Sequence, residues 1–406
     1  MTASSDFRSR PDPGPVAATL GHGRLLRSRW SSALAALTAF ALGPDSSAQA
    51  DELTPRGDPE LGALLAAVHA GHEAPALAAA LVRGDDIIAA VIGRRRAGDG
   101  SEVELEDRFH WGSLTKSMTA VVAATMVEEG DLSWQVPVTE ALGIRRPNEA
   151  LRKVTLRDLL EHHGGLRANA TQPLSFMVPE PNRIDRGTRM ELARTFLQSP
   201  PEHEPGTEFH YSNLGYIIAG TLLEQVSDQS IESLIEERIY RPLEMTNSGF
   251  GAPASGQRDP ESQPWGHGAD GIPVPPGPGD DNPAWLTAAG RAHGCVTDLA
   301  RYARFHLRCP PGQIYRHPAT IRDLQRAREN SKESAACGWF VRRRDWASGQ
   351  VFTHNGSNTM FYAVVWVAPE IDTALVALGN IGGEPGAKAA DAACKAMIDV
   401  YIRGRR

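Results

Sequence analysis

The sequence predicts an α+β protein: an antiparallel sheet built from both termini, flanked by helices, with an inserted helical region. Three observations carry this. Early in the chain, ALAAALVRGDDIIAAVIGRR gives two apolar runs around Gly84-Asp85-Asp86, a hairpin signal. Late in the chain, CGWFVRRR, QVFTHNGS, MFYAVVWVAP and DTALVALGN are separated by turn residues and read as an antiparallel meander. The stretch between is dominated by helical spacing, so one sheet must draw its strands from both ends.

The chain has 406 residues, 41% hydrophobic and 22% charged, a balance typical of soluble globular proteins and long enough for a sizeable core. A net charge of -7 and a pI near 6.0 argue against nucleic-acid binding. Residues 1–50 read as a leader. Arg24, Arg27 and Arg29 precede SSALAALTAFALG, and Ala48 and Ala50 form an A-x-A cleavage pattern before Asp51. The apolar run is too short for a membrane span. Export to the periplasm or the extracellular space is expected, with residues 51–406 as one domain. The alternative is a disordered tail. Cys295, Cys309, Cys337 and Cys394 lack C-x-x-C spacing, so no structural zinc is expected; buried thiols and one or two disulfides both fit.

Pro59 to Gly71 reads as an amphipathic helix, followed by the hairpin. In FHWGSLTKSMTAVVAATMVEEG, Met118, Val121, Val122 and Met126 recur at helical spacing and Gly130 is a stop. Asp131 to Leu142 is a connector. Val154 to Leu160 opens a short helix capped by Thr155. Glu161-His162-His163-Gly164-Gly165 ends it; adjacent histidines point apart on a helix and no H-E-x-x-H is present, so structural histidines are expected rather than a metal site. Ala168 to Gly206 is irregular, with one helical piece from Thr188 to Gln198. Ser212 or Asn213 caps LGYIIAGTLLEQVS, and Ile231 to Tyr240 is a further helix. Gly251 to Gly290, rich in Gly, Pro and Asp, is too long for a plain connection and is expected to be a binding-site or mobile loop. Val296 to Leu307 is a helix capped by Thr297 or Asp298, and Lys388 to Ile402 closes the chain. No internal repeat is present.

Three motifs carry chemistry. Ser113 and Lys116 form S-x-x-K, which places a lysine one helical turn beyond a serine and on its face. A serine hydroxyl needs a base, and a buried lysine loses its proton more readily. The helix N-terminus favours a developing alkoxide. The plain alternative is a helix cap and a solvated lysine. Tyr211-Ser212-Asn213 is the second motif. A phenol beside an ammonium ionises below its free pKa, so Tyr211 is a candidate base and later proton donor. Asn213 is a candidate partner for both Lys116 and a substrate amide. The third is Thr353-His354-Asn355-Gly356-Ser357 on a strand. Gly356 permits close approach, and the Ser357 and Ser113 amides are candidates for an oxyanion hole.

With these motifs in this order, the sequence resembles the serine hydrolases of the class C β-lactamase type, which include β-lactamases, esterases, D-amino-acid peptidases and penicillin-binding proteins. VTLRDLLEHHGGL, FHYSNLGYIIAGTLLEQVS, RPLEMTNSGF and AAGRAHGCVTDLARY extend the resemblance from about Leu77 to Gly382. It implies a mixed sheet flanked by helices, an all-helical region packed against it, and a site at their junction. It also implies Ser113 as nucleophile, Lys116 as its activating partner and Tyr211 as general base. Asn213, His354, Gly356 and Ser357 then bind substrate, and acyl transfer proceeds with no metal or cofactor. Two departures stand out. His354-Asn355-Gly356 replaces the Lys-Thr-Gly usual in β-lactamases, and Ser357-Asn358-Thr359-Met360-Phe361 follows where relatives often carry more glycine.

The expected function is an exported serine hydrolase cleaving a small-molecule ester, amide or peptide. A true β-lactamase or D-amino-acid peptidase is the alternative within the class. A non-catalytic binding protein on the same fold is the alternative from another class; retention of Ser113, Lys116 and Tyr211 favours the enzyme.

Overall fold

Asp58 caps the first helix by accepting the Leu61 N–H at 2.9 Å, and Pro59 occupies a first-turn position where no backbone donor is needed. The computed structural model describes residues 53–405 except 99, 170–184, 255–256, 258, 278, 280, 311 and 330–332. The expected leader and cleavage pattern lie outside the described residues.

The elements, in chain order, begin with β1 (Arg56–Gly57), α1 (Pro59–His69), β2 (Ala76–Arg83), β3 (Asp86–Gly93) and β4 (Phe109–His110). The helical region holds α2 (Thr115–Glu129), α3 (Val138–Ala141), α4 (Leu156–Leu160), α5 (Arg186–Gln198), α6 (Asn213–Ser227) and α7 (Ile231–Ile235). The Gly251 to Gly290 stretch is bracketed by β5 (Gly249–Phe250) and contains the β6 (Gly266–His267) and β7 (Pro273–Val274) hairpin and α8 (Thr287–Gly290). Then come β8 (Ala292–Gly294), α9 (Val296–Arg308), α10 (Pro318–Gln325), β9 (Ala335–Ala336), β10 (Trp339–Arg344), β11 (Gly349–Ser357), β12 (Tyr362–Ala368), β13 (Thr373–Gly379) and α11 (Gly383–Met397).

Eight strands form one sheet in the order β1-β3-β2-β13-β12-β11-β10-β9, every pair antiparallel. The two ends of the chain meet where β2 pairs with β13, from Leu77↔Gly379 to Arg83↔Thr373. Side chains alternate faces along a strand, and β2 shows both faces buried. Ala76, Ala78, Ala80 and Val82 join the core shared with the helical region, whereas Leu77, Ala79 and Leu81 join the core under α1 and α11. That double burial explains why β2 reads as an unbroken apolar run rather than an alternating one.

Helix ends follow local chemistry. Thr155 and Asp158 form a capping box at α4, Gly130 closes α2 at φ +87°, and Ser212, not Asn213, caps α6 through the Gly215 N–H. α9 departs from expectation: its cap is Cys295, whose thiol lies 3.1 Å from the Thr297 hydroxyl in the first turn. Asp298 instead accepts the Asn247 N–H at 2.8 Å and the Ser248 hydroxyl at 2.9 Å, so its carboxylate ties α9 to the segment before β5. All four cysteines are buried, free thiols. Among the described residues, no helix is long and apolar enough to cross a membrane.

Candidate active site

The nucleophile candidate is set by two glycines facing each other. Gly112 has φ +50° and opens a 3-10 turn, Gly112–Leu114, immediately before α2. A Cβ there would lie 2.3 Å from the Ser357 amide nitrogen. A Cβ on Gly356 would lie 2.0 Å from the Trp111 carbonyl oxygen and 2.6 Å from the Ser113 amide nitrogen. Only residues without side chains let the end of β11, beyond its pairing with β10, close on this turn. The Ser113 and Ser357 backbones are thereby brought close together.

Lys116 follows one turn later, and its side chain is fully buried. Its Nζ donates to Ser113 Oγ at 3.0 Å and to the Ala289 carbonyl at 2.7 Å. Both partners are uncharged, so burial is unopposed and pushes the lysine well below its ordinary range. Burial thus favours the neutral amine against the serine. α8 supplies the Ala289 acceptor and, beside it, the Ala288 carbonyl, which takes the Thr119 hydroxyl at 2.7 Å.

Tyr211 approaches from the segment leading into α6. Lys116 Nζ lies 4.9 Å from its ring centroid, and the phenol oxygen contacts Ser113. The expected depression of the phenol is absent. Burial pushes Tyr211 up to about 12, with only a partial offset from the Ser113 hydroxyl. The nitrogen sits over the ring face, 4.9 Å from its centroid, and does nothing to lower the phenol, so the phenolate gains no close positive charge. Tyr211 is therefore a neutral phenol, suited to donate a proton rather than to accept one.

Asn213 lies beside Tyr211 but does not reach Lys116 as expected. Its Nδ2 donates to Asn169 Oδ1 at 2.7 Å, because capping by Ser212 turns Asn213 toward the 167–169 segment. His354 is 3% exposed, its ring 6.5 Å from that of Tyr211 and 5.4 Å from Phe340. Burial, with Lys116 nearby, lowers it to about 3, so it is neutral at physiological pH. The Ser357 hydroxyl donates to the Phe361 carbonyl at 2.6 Å, leaving its backbone as the part that faces the turn.

Sequence reasoning assigned His162 only a structural place. Its Nδ1 accepts the Ser212 N–H at 3.0 Å, and its ring packs on Tyr211 with centroids 4.4 Å apart. It thus supports the site tyrosine from behind; the local signal was its position after a capped helix in VTLRDLLEHHGGL. His163 turns away, its Nδ1 bonded to the Glu161 carbonyl at 2.8 Å. Among the described residues, no group of three or more His, Cys, Asp or Glu side chains is arranged to hold a metal ion.

A family model described as Beta-lactamase matches residues 61–396. A putative D-alanyl-D-alanine carboxypeptidase of Escherichia coli strain K12 is 35% identical over 107 residues, covering 26% of this chain; the match spans 24% of that relative's length. Among solved structures, an octameric penicillin-binding protein homologue from Pyrococcus abyssi superposes with a TM-score of 0.68 at 23% identity, over 85% of this chain and 77% of its own. A D-stereospecific amidohydrolase from Streptomyces sp. gives 0.64 at 20% identity, over 82% and 98%. These two likenesses speak to the fold.

Proposed function

Because the chain belongs to the Beta-lactamase family of serine hydrolases, we propose that it cleaves an ester or uncharged amide through an acyl-Ser113 intermediate. One observation carries the reading: the Lys116 amine, fully buried and with uncharged partners, lies 3.0 Å from the Ser113 hydroxyl. As Ser113 Oγ bonds to the substrate carbonyl carbon, its proton passes to Lys116 Nζ. The carbonyl oxygen takes the negative charge and is received by the Ser113 and Ser357 amides. The carbon–leaving-group bond then breaks. The leaving atom takes a proton from the Tyr211 phenol, and the Lys116 ammonium returns one to it by way of the Ser113 oxygen, which both groups touch. Water repeats the sequence on the acyl-serine and frees the acid. Asn213 and His354 line the substrate side, and Gly356 gives it room along β11.

The preference for a neutral substrate rests on His354. β-Lactams and D-alanyl peptides carry a carboxylate near the scissile bond. The neutral imidazole gives its one proton, on Nδ1, to the Asn355 carbonyl at 2.5 Å, so it offers that group neither charge nor a donor. A lysine in its place would supply a charge-assisted bond. Arg291, at the end of the Gly251 to Gly290 stretch and a candidate source of that charge, is engaged by Asp281 at 2.7 Å. The carboxypeptidase relative favours a second reading, a D-amino-acid peptidase. The test compares kcat/KM for p-nitrophenyl acetate, a chromogenic cephalosporin and a D-alanyl-D-alanine peptide, with wild type and His354→Lys. A wild-type preference for the cephalosporin, or no gain on it in the lysine variant, sinks the account of His354; a preference for the peptide establishes the second reading.

The nucleophile assignment has its own test, a fluorophosphonate adduct mapped to Ser113 and absent in Ser113→Ala. Export belongs to the same proposal, and native material should begin at or within a few residues of Asp51. A mature product starting at Met1 would refute it.

A further inference from the structure

Gly112 must hold a left-handed turn for Ser113 to face Lys116, and something must hold Gly112. Its N–H is bonded to His110 Nδ1 at 3.0 Å. The other ring nitrogen, His110 Nε2, lies 2.8 Å from Asp281 Oδ1. Asp281 Oδ2 accepts from Arg291 Nε at 2.7 Å, and Oδ1 also accepts the Asn282 N–H at 2.7 Å. The chain of contacts is buried: His110 is fully so, and the Asp281 side chain is 4% exposed.

Donor and acceptor roles along this chain are forced. A backbone N–H only donates, so Nδ1 carries no proton, and a carboxylate only accepts, so the proton sits on Nε2. Asp281 belongs to the Gly251 to Gly290 stretch, far from His110 in sequence. Its neighbour Asn282 donates Nδ2 to the Gly290 carbonyl at 2.7 Å, next to the Ala289 carbonyl that receives Lys116. Two consecutive residues of one loop therefore brace both the turn that carries the nucleophile and the helix end that orients its base.

Resting on Ser113 as the nucleophile, we propose that Asp281, acting through His110, is a positioning residue for the reaction. It fixes the imidazole as the Nε2–H tautomer, so that Nδ1 receives the Gly112 N–H and holds the turn that presents Ser113.

Asp281→Asn is the direct probe. Arg291 needs an acceptor on one side of the residue, and His110 with the Asn282 N–H needs one on the other. An amide has a single oxygen, so either orientation sets N–H against N–H. With its NH2 toward His110, it drives the proton onto Nδ1 and against Gly112. The rate of Ser113 labelling by a fluorophosphonate should fall about 10²-fold, the size expected when a reacting group is misplaced by about an ångström. A matched pair separates positioning from packing. His110→Asn keeps an acceptor where Nδ1 was and should retain most of the rate. His110→Gln keeps a polar group only where Nε2 was and should show the loss. Imidazole 15N shifts should report the Nε2–H tautomer of His110 in the wild type. Labelling of Asp281→Asn at the wild-type rate, equal rates in the two His110 variants, or an Nδ1–H tautomer in the wild type each overturns the inference. If Asp281→Asn fails to fold by circular dichroism, the His110 pair decides. No labelling of the wild type would instead overturn the nucleophile assignment, which separates the two failures.

Discussion

Replacing Lys116 with Met should flatten the pH dependence of stability. In the folded protein the amine is fully buried, and its hydrogen-bond partners, Ser113 Oγ and the Ala289 carbonyl, are uncharged. Its pKa is held well below the 10.5 of a free lysine. Between the folded and unfolded values the unfolded chain binds one proton that the folded chain does not, so unfolding takes up a proton and stability rises with pH. The destabilisation is full below the folded pKa and vanishes above the unfolded one. Within that window one proton corresponds to about 1.4 kcal/mol per pH unit. The stability of wild type minus that of Lys116→Met should therefore grow by about 1.4 kcal/mol between pH 8.5 and 9.5. Loss of the donor to the Ala289 carbonyl adds an offset of about 1–3 kcal/mol that does not change with pH. Urea unfolding of both proteins at half-unit pH intervals measures the difference, in which the shared titrating groups cancel. The same lysine should set the acid limb of kcat/KM, since activity requires the unprotonated amine. Parallel stability curves would mean that Lys116 is charged in the folded state, and the assignment of Lys116 as base would fall.

Three further outcomes follow from the site. Tyr211→Phe should lower turnover by about 10²-fold or more while leaving the acid limb of the pH–rate profile in place, because the phenol donates and does not set the base pKa; a shifted acid limb would return the base role to Tyr211. Gly356→Ala would put a methyl 2.0 Å from the Trp111 carbonyl oxygen. It should cost about 1–3 kcal/mol in denaturant unfolding and abolish turnover, as expected for overpacking at a rigid contact. The four free cysteines should be silent to a thiol reagent in the native protein and all react after denaturation; fewer than four on unfolding without reductant would reveal a disulfide.

What was legible in the sequence was local or doubly marked. Ser113 and Lys116 are three residues apart on one helix, so their meeting follows from helical geometry. The sheet was legible because β2, β12 and β13 are buried on both faces and carry apolar runs that turns interrupt. The sign of the Tyr211 shift was not legible, since it depends on whether Nζ meets the ring or the oxygen, a matter of a few ångströms in tertiary packing. Asn213 was misread for the same kind of reason: two adjacent polar residues both fit a helix cap, and only the structure shows Ser212 taking it. At α9, Thr297 and Asp298 are both good caps by type, yet Asp298 is used to hold the 247–248 backbone. α10 and the short β9 were passed over because eight mixed residues and a two-residue bridge give little periodicity. The His110–Asp281 contact spans 171 positions, and no local pattern announces it.

The pairing of β2 with β13 also governs when the protein can become itself. The partners are about 300 residues apart, so ribosomal synthesis at about 5–20 residues per second leaves the β2–β3 hairpin without its inner neighbour for about 15–60 s. A two-stranded hairpin is marginal alone, and this one has two apolar faces and an open edge. The nascent chain is thus at its most sticky long before its sheet can close. Because α1 and α11 pack together on one side of that sheet, a circular permutant that begins at β10 would deliver β13 just ahead of β2. The long wait would become a short loop, and the folded site would be left as it is.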